Sequence, residues 1–183
     1  MKYIQSEEPK DHWYMLDVKD KIVLDLGCGL WDSKTPTPHY FIEQGASRVI
    51  GVDSSIDSYN WYKQNLNHHK FTVHLDNIDD IEKFKMFLSY YKPHVVKIDI
   101  EGMEILMGNL TKDYFQSVKE MAIEYHGLAH NILLKTMFNE WGFTETEQYA
   151  FEGIPVDGQG VWVAKKPKQI ITKIRETANN GKA

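Results

Sequence analysis

The stretch Val23-Leu24-Asp25-Leu26-Gly27-Cys28-Gly29 decides the fold of this chain. Its apolar first half predicts a short buried strand at residues 22–26, and the glycines that follow predict a tight turn. Glycine lets the backbone turn sharply and approach a ligand that a Cβ atom would keep away. A strand that ends in such a turn is typical of a doubly wound α/β sheet, in which ligands bind at the carboxyl ends of the strands.

Outward from this stretch, short apolar runs alternate with segments of helical periodicity, which predicts a mostly parallel sheet with helices between the strands. The predicted strands are residues 22–26, 48–53, 71–75, 95–100, 120–125, 143–151 and 160–165. The predicted helices are residues 39–44, 54–68, 79–91 and 131–141, with a short helical turn at 104–110. The last two strands follow each other without a helix and predict an antiparallel hairpin. A seven-stranded Rossmann-like sheet ending in such a hairpin is the class I methyltransferase arrangement, so this is the expected fold.

Bulk composition limits the classes of protein to consider. The chain has 183 residues, a formal net charge of −5 and a single cysteine, Cys28. This length fits one domain at 21–166, with a lead-in segment at 1–20 and a tail at 167–183 that predicts a short, fraying helix. One cysteine excludes an internal disulfide and favours a cytoplasmic setting. We expect no signal segment, no membrane span and no long nucleic acid as partner.

Polar residues at the ends of the first three strands are the candidate cofactor-binding groups. They are Asp25, Gly27, Cys28 and Gly29 after the first strand, Asp53 and Ser54 after the second, and Asp76 and Asn77 after the third. A carboxylate at Asp53 can accept both hydroxyls of a ribose, although a helix-capping role is the alternative. Asp76 and Asn77 suit either an adenine amine or an ordinary turn.

Asp32 helps to decide between two nucleoside cofactors. In the dinucleotide-binding pattern Gly-x-Gly-x-x-Gly, the third glycine would fall on this residue. A carboxylate there would repel the pyrophosphate of NAD, whereas S-adenosylmethionine is cationic at its sulfonium and ammonium groups and needs no phosphate cradle. The sequence therefore favours S-adenosylmethionine, with an NAD(P)-dependent oxidoreductase and a non-catalytic nucleoside-binding protein as alternatives.

Charged side chains end the fourth and fifth strands, where a parallel sheet is normally apolar. Strand alternation predicts that Lys97, Asp99 and Glu101 share one face, with Glu124 and His126 nearby. Asp99, Glu101 and His126 are candidate bases for a hydroxyl substrate, and Lys97 is the candidate for orienting a carboxylate. An ion network that only orders the loop is the alternative. No metal is expected; a cation held by Asp99, Glu101 and Glu124 is a minority interpretation.

The run Lys97-Ile98-Asp99-Ile100-Glu101-Gly102-Met103-Glu104, with Val23 to Gly29 and Asp53, resembles the FkbM-type methyltransferases. Ala122-Ile123-Glu124-Tyr125-His126-Gly127 is similar to the fifth strand of that family. The resemblance covers residues 21–166 in outline and departs from the family after the glycine turn, where this chain has Leu30-Trp31-Asp32-Ser33 and a Pro-Thr-Pro insertion.

This resemblance implies O-methylation of a hydroxyl on a sugar, glycan or small metabolite. After the fourth strand the chain also lacks the (Asn/Asp)-Pro-Pro-(Tyr/Phe) motif that grips a planar amine in adenine and glutamine N-methyltransferases. The compact domain shows no evident cap over a small substrate, so a homo-oligomer in which a partner chain supplies one is compatible with the sequence.

Overall fold

A single mixed sheet organises the part of the chain that the computed structural model describes, which comprises residues 2–6, 13, 15–30, 36–151 and 158–167. Eight strands lie within these residues, in the spatial order β1-β7-β8-β6-β5-β2-β3-β4. They are β1 (Lys2–Ser6), β2 (Ile22–Leu26), β3 (Arg48–Asp53), β4 (Phe71–Leu75), β5 (Val95–Ile98), β6 (Glu120–His126), β7 (Glu145–Phe151) and β8 (Gln159–Lys165).

All neighbouring strands pair in parallel except at β8, which lies antiparallel between β6 and β7. The seven predicted strands and the terminal hairpin are therefore confirmed. β1 is an eighth strand, which the sequence analysis left in the lead-in segment. It pairs with β7 at the edge of the sheet, and a polar five-residue edge strand carries little periodic signal from which to predict it.

Four α-helices and two 3-10 segments connect the strands within the described residues. The helices are α1 (Thr37–Glu43), α2 (Ile56–Asn65), α3 (Ile81–Tyr91) and α4 (Leu128–Glu140), and the 3-10 segments are Met103–Asn109 and Lys112–Phe115. The side chains of Ser55 and Asp80 cap α2 and α3 by accepting hydrogen bonds from the backbone N–H groups three residues later. α4 begins three residues before its predicted start because Gly127, at φ 96°, ends β6 and turns the chain directly into the helix.

The core lies on both faces of the sheet, as in a doubly wound fold. On one face, strand residues such as Leu24 and Ile50 pack against Phe84 of α3 and Phe138 of α4. The other face is covered by Phe41 of α1 and by three buried side chains from the lead-in segment. Those three are Trp13, Leu16 and Val18. No helix among the described residues is long and apolar enough to cross a membrane.

β5 is shorter than predicted, and this changes the site. The strand ends at Ile98 rather than at residue 100. The chain then turns through left-handed conformations at Glu101, with φ 54°, and at Gly102, with φ 95°. Asp99 and Glu101 therefore lie in a loop beyond the strand, so the predicted period-two alternation from Lys97 to Glu101 is wrong at its end. The predicted tail helix falls in residues 168–183, outside the described residues.

Candidate active site

A cleft of about 560 Å³ opens at the carboxyl ends of β2, β3, β4 and β5. This is where a doubly wound sheet places its ligand, at the reversal of strand order between β2 and β5. The cleft is lined by Gly27, Leu30, Val52, Asp53, Ser54, Ser55, Ser58, Asp76, Asn77, Ile78, Asp99, Ile100, Glu101 and Met103. Seven residues that the sequence analysis singled out therefore meet at one cleft.

The glycine turn after β2 requires glycine at its first position. Gly27 adopts φ +74°, and a Cβ atom there would lie 1.6 Å from the carbonyl oxygen of Asp99. The backbone N–H of Gly27 donates to the carbonyl of Val52 at 2.9 Å, which ties the turn to β3. Gly29 lies in the same turn, and Trp31 and Asp32 fall outside the described residues. The turn thus brings the ends of β2, β3 and β5 together at the floor of the cleft.

Asp53 ends β3 and lines the cleft. One of its carboxylate oxygens bonds to the backbone at the start of α2. Its Oδ1 accepts a hydrogen bond from the backbone N–H of Ser55 at 2.8 Å, which fixes the carboxylate at the start of α2. Burial raises the pKa of Asp53, and the Ser55 N–H partly offsets that rise. Asp53 therefore stabilises the turn into α2 and at the same time lines the cleft.

Asp76 and Asn77 line the opposite wall of the cleft, after β4. Asp76 Oδ1 accepts hydrogen bonds from the Asn77 N–H and from Lys83 Nζ, at 2.8 and 2.9 Å. Lys83 also pairs with Asp79 at 2.9 Å. These bonds hold the turn against α3, so the side chain of Asp76 is pre-oriented before any ligand arrives.

Lys97 and Asp25 form a buried ion pair beneath the glycine turn. Lys97 Nζ lies 3.2 Å from Asp25 Oδ1 and 3.6 Å from Asp99 Oδ2, and it donates to the carbonyl of Gly27 at 2.6 Å. Asp25 is fully buried and also accepts a hydrogen bond from Thr37 Oγ1 at 2.6 Å. Burial alone would lower the pKa of Lys97, but the carboxylates of Asp25 and Asp99 raise it above its ordinary value.

Neither member of this pair is among the residues that line the cleft, although Lys97 contacts Asp99, which does line it. Strand alternation puts Lys97 on the same face as Val95, under the ring of Trp13, whose centroid lies 5.1 Å from Nζ. Cys28 is likewise fully buried, with Sγ packed against Gly51. Asp25 and Cys28 therefore lie beneath the floor of the cleft, and Lys97 acts on the cleft through its ion pair with Asp99.

A second polar cluster lies where Glu101 meets the end of β6. His126 Nε2 lies 3.6 Å from Glu101 Oε2 and 3.7 Å from Glu124 Oε1. His126 Nδ1 lies 3.5 Å from Glu104 Oε2, which is also 3.5 Å from His130 Nδ1. β5 and β6 pair in register, Ile98 beside Ile123, and this brings the groups together.

The carboxylates around His126 change the role expected for it. The adjacent Glu104, followed by Glu124 and Glu101, raises the pKa of His126 to about 9, although burial opposes the rise. A pKa raised in this way favours the protonated ring in the absence of another cation, which makes His126 a weaker candidate for the general base than Asp99 or Glu101. Burial, followed by the charge of Asp99, raises the pKa of Glu124 to about 7.

Sequence reasoning missed Glu104 and His130 as members of this cluster. Glu104 is fully buried and accepts a hydrogen bond from the Ile100 N–H at 3.1 Å. The sequence did offer a signal for Glu104, because this acid stands within the quoted charged run after β5. That its carboxylate is buried, which makes a polar partner necessary, is seen only in the structure. His130 lies on α4 and gave no such signal, since only the packing of α4 against the 103–109 segment brings it near.

The cleft is acidic throughout its described part. Four of its lining residues are carboxylates, and no Lys or Arg lines it among the residues that the structure describes. The acids are Asp53, Asp76, Asp99 and Glu101. Lys83 pairs with Asp76 and Lys97 with Asp99 from outside this lining, so a pyrophosphate in the cleft would meet carboxylates first, whereas a cationic ligand is attracted by them.

Comparison with known proteins finds methyltransferases among the relatives of this chain. No family model matches the sequence. The chain is 26% identical over 147 residues to the ribosomal protein L11 methyltransferase of Haemophilus influenzae, an alignment that covers 80% of this chain and 44% of that protein. The chain therefore spans less than half the length of this curated relative.

Two solved structures show the same architecture. A Streptococcus pneumoniae protein proposed to be a tRNA (m1A22) methyltransferase matches with a TM-score of 0.60 at 14% identity, covering 92% of this chain and 73% of that one. The ribosomal protein L11 methylase of Lactobacillus delbrueckii subsp. bulgaricus matches with a TM-score of 0.54 at 12% identity, covering 87% and 77%. Together with the strand order and the antiparallel β8, these likenesses show that the chain has the class I methyltransferase fold, the fold of its S-adenosylmethionine-dependent relatives.

Proposed function

We propose that this chain is an S-adenosylmethionine-dependent methyltransferase whose cofactor binds in the cleft at the ends of β2 to β5. The observation that carries the proposal is the acidic cleft built on the Gly27 turn, with Asp53 fixed at its side. A bound S-adenosylmethionine would supply an electrophilic methyl group on a sulfonium centre. The residues of this chain have to bind it, orient the acceptor and exclude water.

The residues in the cleft fit this cofactor better than a dinucleotide. Gly27 allows the loop that carries Asp99 to approach closely and shape the cleft, and the carboxylate of Asp53, which lines the cleft at the end of β3, suits ribose hydroxyls. Asp76 and Asn77 suit the adenine amine. The excess of carboxylates suits the sulfonium and ammonium charges, and it opposes the NAD alternative, whose pyrophosphate would find no cation in the described lining.

For the acceptor, the proposal is a hydroxyl on a sugar, glycan or small metabolite, as the FkbM-type run from Lys97 to Glu104 implies. In the reaction the carbon–sulfur bond breaks as a carbon–oxygen bond forms, and the hydroxyl proton must pass to a base. Asp99 and Glu101 line the cleft and are the candidates for receiving it, directly or through water. A ribosomal protein is the second candidate acceptor, favoured by the relative at 26% identity. RNA is a polyanion and therefore suits the acidic cleft least well.

The first test is cofactor binding to the wild-type chain. S-adenosylmethionine and S-adenosylhomocysteine should raise the melting temperature, because a ligand at 100 times its Kd stabilises the native state by about 2.7 kcal/mol. NADH at the same concentration should not. A shift with NADH alone would contradict the proposal.

A variant pair tests the position of the cofactor. Asp53→Ala should weaken S-adenosylmethionine binding by about 10- to 100-fold in calorimetry, since hydrogen bonds to a charged group are worth about 1.5–3 kcal/mol. Asp57→Ala is the matched control, because Asp57 is an exposed acid in the first turn of the same helix and does not line the cleft. Equal affinities of the two variants would place the cofactor elsewhere.

Turnover tests the second half of the proposal. With S-adenosylmethionine labelled in its methyl group, label should enter a small-molecule or glycan fraction and stay out of separate RNA and ribosomal-protein fractions. Asp99→Ala should abolish that transfer while cofactor binding persists. Label in the ribosomal-protein fraction would support the second candidate, and full activity of Asp99→Ala would remove its assigned role.

A further inference from the structure

Three potential ligand groups converge beside the cleft, two of them in its lining. Asp99, Glu101 and His126 each offer one ligand atom, and these atoms all lie within 4.8 Å of one another. Asp99 and Glu101 come from the loop after β5, and His126 ends the neighbouring strand β6. Because Asp99 and Glu101 line the cleft, the group faces the space where an acceptor would stand.

Several buried polar atoms around this group lack a hydrogen-bond partner. Among the described residues they include Asp99 Oδ1, Glu104 Oε2, His126 Nδ1 and His130 Nδ1. The side chain of Glu104 is fully buried and its free oxygen points at His126 Nδ1, 3.5 Å away. A carboxylate behind a histidine fixes the orientation and tautomer of the ring, and it directs the opposite nitrogen towards a metal ion. Here that opposite nitrogen, Nε2, is the one that faces Glu101.

The charge of the cluster also calls for a cation. Four carboxylates, those of Asp99, Glu101, Glu104 and Glu124, surround His126 within the linked contacts described above. The nearest lysine, Lys97, is shared between Asp99 and the buried Asp25. Like charges this close destabilise one another unless a cation lies between them, and a divalent ion bound by the neutral ring would replace the single proton that His126 otherwise carries.

We propose that Asp99, Glu101 and His126 form a binding site for a divalent transition-metal ion, with Glu104 as the positioning residue behind His126. Two carboxylates and one imidazole suit Mn²⁺, Fe²⁺ or Zn²⁺, while the imidazole makes the set less suitable for Ca²⁺ or Mg²⁺. This replaces the minority interpretation from the sequence, in which Glu124 stood in the place that the structure gives to His126.

Three protein ligands leave coordination positions open for water or for an acceptor oxygen. A hydroxyl held there would lose its proton more readily beside the methyl donor, which is a known contribution of bound metal ions. This role of the ion rests on the proposed methyltransferase function, whereas the binding site itself does not.

Mn²⁺ is the probe for this site, because its free-ion paramagnetic resonance signal disappears on binding. The full chain is first freed of metal with a chelator. It should then bind one equivalent of Mn²⁺, measured as the loss of the free-ion signal, and millimolar Mg²⁺ should not displace the bound Mn²⁺. Glu101→Gln should weaken Mn²⁺ binding by at least about tenfold. The side chain of Glu101 is 70% exposed, so this variant is expected to fold normally.

Glu43→Gln is the matched control, because Glu43 lies 3.5 Å from His39 in an exposed histidine–carboxylate pair far along the chain from the cluster. It should bind Mn²⁺ as the wild type does. No loss of the free signal with wild-type protein, or equal affinities of Glu101→Gln and Glu43→Gln, would overturn the proposal. S-adenosylmethionine titrated into the same samples separates the two proposals: cofactor binding without Mn²⁺ binding contradicts only the metal site, and the reverse contradicts only the function.

Discussion

Gly27→Ala is expected to abolish detectable binding of S-adenosylmethionine and to lower the free energy of unfolding by about 2–4 kcal/mol. The added Cβ would lie 1.6 Å from the carbonyl oxygen of Asp99, and this neighbour is backbone, so it cannot rotate away. The loop after β5 would have to shift, and it carries Asp99 and Glu101 of the cleft wall. Calorimetric titration and urea denaturation measure the two effects.

Gly45→Ala separates backbone strain from overlap in this experiment. Gly45 also has a positive φ, +88°, but its added Cβ would find only Lys19 Cγ at an ordinary distance of 3.7 Å. It should therefore lower the free energy of unfolding by only about 1 kcal/mol and leave cofactor binding unchanged. If both variants lose the same stability and both bind the cofactor, the close approach of Gly27 to Asp99 is not what shapes the cleft.

The fold was predictable because its signals are local. The strands β2, β3 and β4 were predicted with their observed bounds, since each is a short apolar run ended by a turn. The starts of α2 and α3 were predicted two residues early, at 54 and 79, and the side chains of Ser55 and Asp80 set the observed starts by capping the N–H groups three residues later. Such features depend on a few consecutive residues and need no knowledge of the tertiary contacts.

The site was predictable only as far as strand ends determine it. Asp53, Asp76 and Asp99 follow directly from the rule that ligands meet the carboxyl ends of parallel strands. Lys97 shows the limit of that rule. Strand alternation predicts on which face of the sheet a side chain lies, but it does not predict which other residues cover that face. Trp13, from a segment without helical or strand periodicity, packs over Lys97 and converts an expected site residue into a buried one.

The full membership and the geometry of the cluster around His126 could not be predicted from the sequence, for a different reason. Its geometry depends on the register between β5 and β6 and on the packing of α4, which together place Glu104 and His130 beside the strand end. Both are tertiary features. The sequence predicted that Glu124 and His126 lie near Asp99 and Glu101, but the distance of 3.6 Å between Glu101 Oε2 and His126 Nε2 required the folded chain.

Lys97→Met is expected to be the most destabilising single change at a side chain, lowering the free energy of unfolding by about 3–5 kcal/mol. Methionine keeps the length of the side chain under Trp13 but leaves the fully buried Asp25 without its cation. An unpaired charge in the interior costs several kcal/mol, a large share of the 5–15 kcal/mol that typically stabilises a domain. Urea denaturation monitored by tryptophan fluorescence measures the loss.

The double variant Asp25→Asn/Lys97→Met tests whether charge, rather than packing, causes that loss. Asparagine can still accept the hydrogen bond from Thr37 Oγ1, which lies 2.6 Å from the carboxylate, while it removes the buried charge. Asp99 is partly exposed at the cleft and can be hydrated without Lys97. The double variant should therefore recover at least half of the lost stability, because neutral replacements of a whole buried pair are often tolerated.

Lys85→Met, which removes a lysine from an exposed pair with Glu82, should leave the unfolding midpoint unchanged. If the double variant is no more stable than Lys97→Met, the lysine acts through its packing and its bond to the Gly27 carbonyl, and the buried charge of Asp25 is not what requires it.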